Sequence, residues 1–420
     1  MIKLKQNSSE NFYRRDKMTS YNKFQNTYTL TPHSPLIHFQ WDSDYATLRA
    51  TEVKPKLDRY IVKHCREIPK QWKKDNINGK ISLNYKMRIV TDENNKPIDL
   101  GRNTPYDIFY GNMGENTPIK KGVMNKSTLT ITCFHKDLLK YIDEIIGDFF
   151  IVTNFGTMQS KGFGSFTVDE KSVDDKHICE VLKTEYTNNG HCYKFSTNSK
   201  FAFKNIKTIY SLIKSGLNFT NDEEKKANAD SDPNIPYKRS ILFDYMHDLS
   251  EFHLPNIGNE KAWMKQQGIS PILGRQKKQK GDNCMYVRAL LGIGERIEYL
   301  KEKPVKGKKI NKEAVTITEQ PEGKDEKEKK AKKIERLNSP ILFKVIYNVV
   351  YFVGCEPNES IYGKTFSFSS TLGHNTLTVP EKNDLPQDFM NSFMHYAFLK
   401  LQECKNKPRF NLNHITIEEV

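Results

Sequence analysis

Residues 154–168 read NFGTMQSKGFGSFTV. Gly156, Gly162 and Gly164 bracket a small polar and basic turn, Ser160-Lys161, that runs straight into Phe163, Phe166 and Val168. Glycine permits positive φ and close backbone approach, so such a loop can present N–H groups to a phosphate while the strand behind it serves as anchor. The same composition also describes a plain glycine-rich turn between two strands. The spacing fits neither G-x-G-x-x-G nor the triphosphate loop, in which lysine directly follows the second glycine.

Upstream of the loop, residues 127–133 (STLTITC) alternate as a strand, and Leu138, Leu139, Ile142, Ile145 and Ile146 form one helical apolar face. Gly147 is expected to end that helix, with Phe149, Phe150, Ile151 and Val152 opening the segment that reaches the glycines. Residues 46–66 read ATLRATEVKPKLDRYIVKHCR. Leu57, Tyr60, Ile61 and His64 recur at helical spacing with Pro55 in the first turn, while Lys56, Arg59 and Lys63 line a neighbouring face. Such a helix is either a solvated amphipathic element or a basic rod along a phosphate backbone, entered by a loop carrying Arg49 and Lys54. Residues 27–40 predict a strand broken around Pro32 and Pro35, and short strands are expected within 81–90. The order strand, basic helix, strands, helix, glycine loop, strand suits a ferredoxin-like or RRM-like domain, with two helices on one face of an antiparallel sheet.

Beyond Asp169, residues 181–186 and 192–196 predict two strands joined through a tight Asn188-Asn189-Gly190 turn. Phe203, Ile206, Ile209, Tyr210 and Ile213 carry helical spacing up to Gly216, and residues 239–253 predict a further helix. Residues 269–281 form a second basic loop with Arg275, Lys277 and Lys278. From 301 to 335 the chain is mostly Lys, Glu and small polar residues, a composition that predicts a mobile insertion. Residues 337–353 read as central strands of a second sheet, and 387–404 as a closing amphipathic helix. Ser34-Pro35-Leu36-Ile37 and Ser339-Pro340-Ile341-Leu342 echo each other, a hint of duplication.

A chain of 420 residues is long enough for two cores. Its 66 Lys and Arg against 51 Asp and Glu leave a charge of +15, which favours a polyanionic partner, nucleic acid ahead of an anionic membrane. The 24 Phe and 20 Tyr add stacking surface to that charge. No apolar run is long enough to span a membrane and the first 24 residues lack the core of a signal peptide, so a cytoplasmic location is expected. The seven scattered cysteines, without C-x-x-C, read as reduced structural thiols.

Catalytic patterns are sparse. His177-Ile178-Cys179 and His191-Cys192 each resemble half of a metal site, but no second pair stands at the usual spacing, and no metal or cofactor is expected. There is no G-x-S-x-G and no H-E-x-x-H. His38 and His64 are the candidates for a general base acting on a ribose 2′-hydroxyl, or else ordinary strand and helix residues. Asp42, Asp44 and Asp58 lie near the same segment, as metal ligands or as partners that order its basic residues.

Taken together, Thr31-Pro32 and Ser34-Pro35 in the first strand, LRATEVKPKLDRYI, and then NFGTMQSKGFGSF about a hundred residues on resemble the RAMP superfamily of CRISPR-associated proteins. Lys161-Gly162-Phe163-Gly164 matches the family's basic residue followed by Gly-Phe-Gly. Leu48-Arg49-Ala50 with Lys54 to Arg59 is similar to the pattern in the two-domain RAMP subunit of type III-B (Cmr) complexes. The loop departs from the family in carrying one lysine where relatives often have several arginines, and the similarity is concentrated in residues 27–168.

The resemblance implies an α+β protein of two ferredoxin-like (RRM-like) domains with helix-covered antiparallel sheets. Their expected layout is a mobile tail at 1–25, a first domain at 26–170, and a second at 171–420 that carries the charged insertion. It implies a non-catalytic subunit that holds the 3′ part of the guide RNA and helps capture target RNA beside other effector subunits. The alternative is a RAMP endoribonuclease that processes guide RNA or cuts target RNA. The expected RNA contacts are Arg49, Lys54, Lys56, Arg59, Lys63, Gly156, Ser160, Lys161, Gly162, Phe163, Gly164, Arg275, Lys277 and Lys278.

Overall fold

The computed structural model describes residues 24–38, 47–74, 81–92, 97–100, 104–106, 121–171, 174–187, 190–218, 237–248, 257–258, 260–271, 284–294, 296–301, 312–320, 339–407 and 410–420. Residues 1–23 of the tail expected at 1–25, Asp42, Asp44, and the basic loop with Arg275, Lys277 and Lys278 lie outside them, while Gln25 already belongs to a strand.

The first half contains β1 (Gln25–Pro32), α1 (Ala50–His64), β2 (Lys86–Thr91), a small β3 (Ile98–Asp99) and β4 (Lys121–Gly122) pair, β5 (Ser127–Thr132), α2 (Lys136–Val152) and β6 (Phe166–Val168). Its main sheet has the order β2-β5-β1-β6, all antiparallel. This is the βαββαβ ferredoxin-like arrangement. Period-two alternation sends Tyr28, Leu30, Leu129 and Ile131 inward, where Val53, Leu57 and Ile61 of α1 and Leu138, Ile142 and Ile146 of α2 complete one core.

Helix α1 begins five residues before Pro55, so Lys54 lies in the helix and not in an entering loop; Glu52 sits in its first turn. Helix α2 does not stop at Gly147. It runs to Val152 because Phe149, Phe150, Ile151 and Val152 are all buried, and that burial outweighs the low helix propensity of one glycine. A Cβ at Gly147 would lie 3.0 Å from the Cβ of Lys171, so the bare position also lets the following segment pass.

Next comes α3 (Asp175–Tyr186), where a strand and hairpin were expected; Asp174 caps it by accepting from the His177 N–H at 2.8 Å. Ile178, Cys179 and Leu182 supply its buried face at helical spacing, a stripe too short to dominate a reading of β-branched Val181 and Thr184. The second half continues with β7 (Cys192–Ser196), α4 (Ser199–Lys214), β8 (Leu217–Asn218), β9 (Tyr237–Lys238), α5 (Ile241–Asp248), α6 (Glu260–Gln266), β10 (Arg296–Leu300) and β11 (Lys312–Glu319). It ends with β12 (Ile341–Ile346), β13 (Val349–Gly354), β14 (Thr365–Ser369), β15 (His374–Thr378), α7 (Phe389–Lys405) and β16 (Ile417–Glu419).

The sheet β12-β13-β7-β16 repeats the first topology strand for strand: β7, α4, β12, β13, α7, β16 form a second antiparallel βαββαβ unit. Two insertions in it build an accessory antiparallel sheet, β10-β11-β14-β15. Strand β11 falls inside the charged 301–335 segment. Val315 and Ile317 are enough to bury one side of a short strand paired on both edges, which an average over the whole segment conceals. The Ser-Pro echoes are not equivalent, since Ser34-Pro35 follows the first strand of its unit and Ser339-Pro340 precedes the second strand of the other. Among the described residues, no helix is long and apolar enough to cross a membrane.

Candidate nucleic-acid interface

The glycine stretch folds back on its own domain. Asn154 and Ser165 bridge, and Phe155 N–H donates to Gly164 O at 2.9 Å. Gly164 has φ +66°, and a Cβ there would lie 1.9 Å from Phe155 O; at Gly156 (φ +72°) it would lie 2.4 Å from Ile37 O. These glycines therefore admit neighbouring protein backbone. The loop N–H groups are engaged within the fold: Gly156 donates to Glu52 Oε1 (2.7 Å), Lys161 to Met158 O (2.9 Å), Gly162 to Gln159 O (3.1 Å) and Gly164 to Pro35 O (3.0 Å). A phosphate cradle of free N–H groups at these four positions is not what the loop presents.

The outer side of the loop meets the second domain. Phe343 N–H donates to Ser160 O (3.0 Å), Asn154 Nδ2 donates to Phe343 O (3.0 Å), and Ser165 Oγ donates to Val345 O (2.6 Å). Lys161 bridges Phe343 in parallel, so the loop adds a short rung to the edge of β12. Phe163 is fully buried against Phe203 of α4, ring centroids 4.4 Å apart. The stretch is thus a joint between the two ferredoxin-like units.

Two lysines secure that joint. Lys344 on β12 is buried, and its ammonium donates to Phe150 O (2.7 Å), Thr153 O (3.0 Å) and Asn154 Oδ1 (3.1 Å). It caps the carbonyl end of α2 from the other domain, and burial holds its pKa well below the usual lysine value. Lys56 on α1 donates to Asn154 O (2.9 Å) and Gln159 Oε1 (3.1 Å), with Glu52 Oε1 at 3.4 Å; burial lowers its pKa too. Lys161 places its ammonium 5.0 Å from the Tyr210 ring centroid, and desolvation is the main cause of its lowered pKa.

The remaining candidates divide by exposure. Lys54 is tied down, donating to Asp58 Oδ2 (2.8 Å) and Leu83 O (3.0 Å) over the Tyr85 ring, so buried Asp58 orders a lysine. Arg49, Arg59 and Lys63 are exposed, the last two one turn apart on α1. Lys63 and His64 both reach Glu185, at 2.9 and 2.8 Å. His38 lies 3.1 Å from Thr47 O, and burial lowers its pKa. The two His/Cys pairs meet through their sulfurs, Cys179 Sγ lying 3.0 Å from Cys192 Sγ, while His177 faces Asp148 at 2.7 Å.

The sequence reading missed the open face of the first sheet. The residues that alternate away from its helices are Thr27 and Thr29 on β1, Thr128, Thr130 and Thr132 on β5, and Lys86, Arg88 and Val90 on the edge strand β2. Cross-strand rows read Arg88–Thr130–Thr27 and Val90–Thr128–Thr29. The signal was present in TYTLT and STLTIT, whose threonines recur at period two.

Two family models match the chain: the Cmr1 N-terminal domain over residues 23–217 and the Cmr1 C-terminal domain over residues 237–417. No curated protein matches it. Among solved structures it is similar to the crystal structure of Cmr1 from Pyrococcus furiosus in the apo form, at 8% identity and a TM-score of 0.36, over 94% of this chain and 98% of that one. Because the two family models together span most of its length, this chain belongs to the Cmr1 family, the RAMP proteins of type III-B CRISPR effectors.

Proposed function

We propose that this chain is a structural RNA-binding subunit of the effector, one that holds the 3′ part of the guide RNA, helps capture target RNA beside the other subunits, and performs no chemistry of its own. The observation that supports this most is how the basic residues divide. Lys54, Lys56, Lys161 and Lys344 hold the fold together, while Arg49, Arg59 and Lys63 stay exposed on and beside α1. Exposed Arg and Lys give salt-dependent, sequence-blind contact with phosphates, and base pairing then selects the target. In this reading Gly156, Ser160, Gly162, Phe163 and Gly164 fix the position of α1 relative to the second domain. A cytoplasmic location follows from the same role.

The test is fluorescence anisotropy of labelled guide-length RNA with the full chain and its neighbouring subunits across a salt series. The logarithm of affinity should fall with log salt by about 0.7 per phosphate contact. Arg59→Glu with Lys63→Glu should weaken binding by at least about tenfold and flatten the slope. Binding that ignores salt or this pair overturns the reading. RNA cleavage lost in His38→Ala would replace it with a ribonuclease.

A further inference from the structure

We propose that His191, His395 and Glu419 form a binding site for a divalent first-row transition ion of the zinc type, at the rim of the second domain where β16 closes the sheet. The fold itself assembles the trio. His191 immediately precedes β7, and Glu419 stands opposite Tyr193 in the β16–β7 register. Period-two alternation therefore sends His191, Tyr193 and Glu419 to one face, and Lys194 and Glu418 to the other. Helix α7 covers the first face and brings His395 over it.

The three potential ligand atoms lie within 4.8 Å of one another. His191 Nδ1 contacts Glu419 Oε1, whereas His395 Nδ1 stands 3.8 Å from Oε2. That second separation is too long for a hydrogen bond, so three donors converge without a closed network among themselves. Two other histidine–carboxylate contacts differ: His177–Asp148 (2.7 Å) and His64–Glu185 (2.8 Å) are short pairs without a third donor of this kind among the described residues.

The rings are also held in place. The His191 ring lies 6.0 Å from Tyr193 at 24° and 5.3 Å from His395 at 32°. Tyr193 is itself fully buried, stacked on Phe398 (5.0 Å) and Phe352 (5.2 Å). Its hydroxyl is buried and has no hydrogen-bond partner among the described residues. Fixed rings lower the ordering cost that a metal would otherwise meet.

Two imidazole nitrogens and a carboxylate oxygen are a zinc donor set, with bonds of about 2.0–2.2 Å and a fourth position left for water. Side-chain exposures of 35% for His191, 48% for His395 and 33% for Glu419 leave a route for the ion. A bound ion would pin the edge strand β16 to β7 and α7, and would stabilise the folded chain by mass action.

The experiment uses the full chain, stripped of metal and titrated with ZnCl2 in competition with a chromophoric chelator. One ion per chain is expected, with a higher unfolding temperature and, on replacement by Co2+, the visible bands of a four- or five-coordinate ion. His395→Ala and Glu419→Gln should each lower the affinity by at least about tenfold and abolish the thermal shift, while His177→Ala changes neither. Both substituted residues are exposed, and the unfolding temperature without metal reports whether the fold survives. The proposal is overturned by no stoichiometric binding, or by binding that both variants leave unchanged.

Discussion

The two ferredoxin-like sheets share one connectivity and one strand order but differ on the faces turned away from their helix pairs. In the first, that face is Thr27, Thr29, Thr128 and Thr130 with Lys86 and Arg88 at the edge. In the second it is Cys192, Ile346, Tyr351 and Val353, covered by Ile178, Cys179 and Leu182 of α3 and by Ile151 and Val152 from the end of α2. One sheet is half-buried, the other buried on both sides. The connector between the domains causes the difference, because it packs forward onto the second sheet. The glycine joint fixes that choice by running along β12.

The largest expected effect breaks the joint. Gly164→Ala places a methyl within 1.9 Å of Phe155 O at a positive φ, and should cost about 3–5 kcal/mol in chemical denaturation. A loss below about 1 kcal/mol would mean that the loop relaxes freely and does not lock the two units. Next, Lys344→Met leaves Phe150 O, Thr153 O and Asn154 Oδ1 without their donor, with an expected loss of about 2–3 kcal/mol. If this variant were as stable as the parent, burying the ammonium would cost as much as its three bonds return.

The two faces can be compared directly by opposite substitutions. Val353→Thr, under α3, should cost about 1–2 kcal/mol, and Thr130→Val, on the open face, should stay within about 0.5 kcal/mol. Equal effects would contradict the description of one face as covered and the other as open. The smallest effect is on pH dependence. His33 lies between Thr167 Oγ1 (2.7 Å) and the Tyr347 N–H (3.2 Å), and burial lowers its pKa to about 4. A base depressed in the folded state favours the fold above its unfolded pKa, about 6.5, and that contribution is lost as pH falls to about 4. His33→Gln should flatten the stability profile over that window and nowhere else.

Much of the first domain was legible from sequence. Leu57 and Ile61, Leu138 and Ile142, and the alternation of STLTIT each bury a face that its own period defines. The helix α3 was not, because Ile178, Cys179 and Leu182 bury only a narrow stripe whose partners, Tyr351 and Val353, lie far along the chain. Among the candidate contacts, the sequence singled out the basic segment of α1 but could not tell Lys56, which reaches Asn154 and Gln159, from exposed Arg59. The two lie at i and i+3 on α1, and only the position of the glycine loop separates them. Hence Lys56→Glu would report on the joint, and Arg59→Glu on a ligand.

The two α+β units, the excess of positive charge and the position of the glycine stretch can be read along the chain, because periodicity, composition and the lack of a Cβ are local properties. What the glycine stretch packs against follows from folding alone. Its N–H groups and Phe163 are engaged by Pro35, Glu52 and Phe203, residues from three separate segments. The structure alone likewise brought His191, His395 and Glu419 within 4.8 Å of one another, because strand pairing and helix packing set that distance and chain spacing does not.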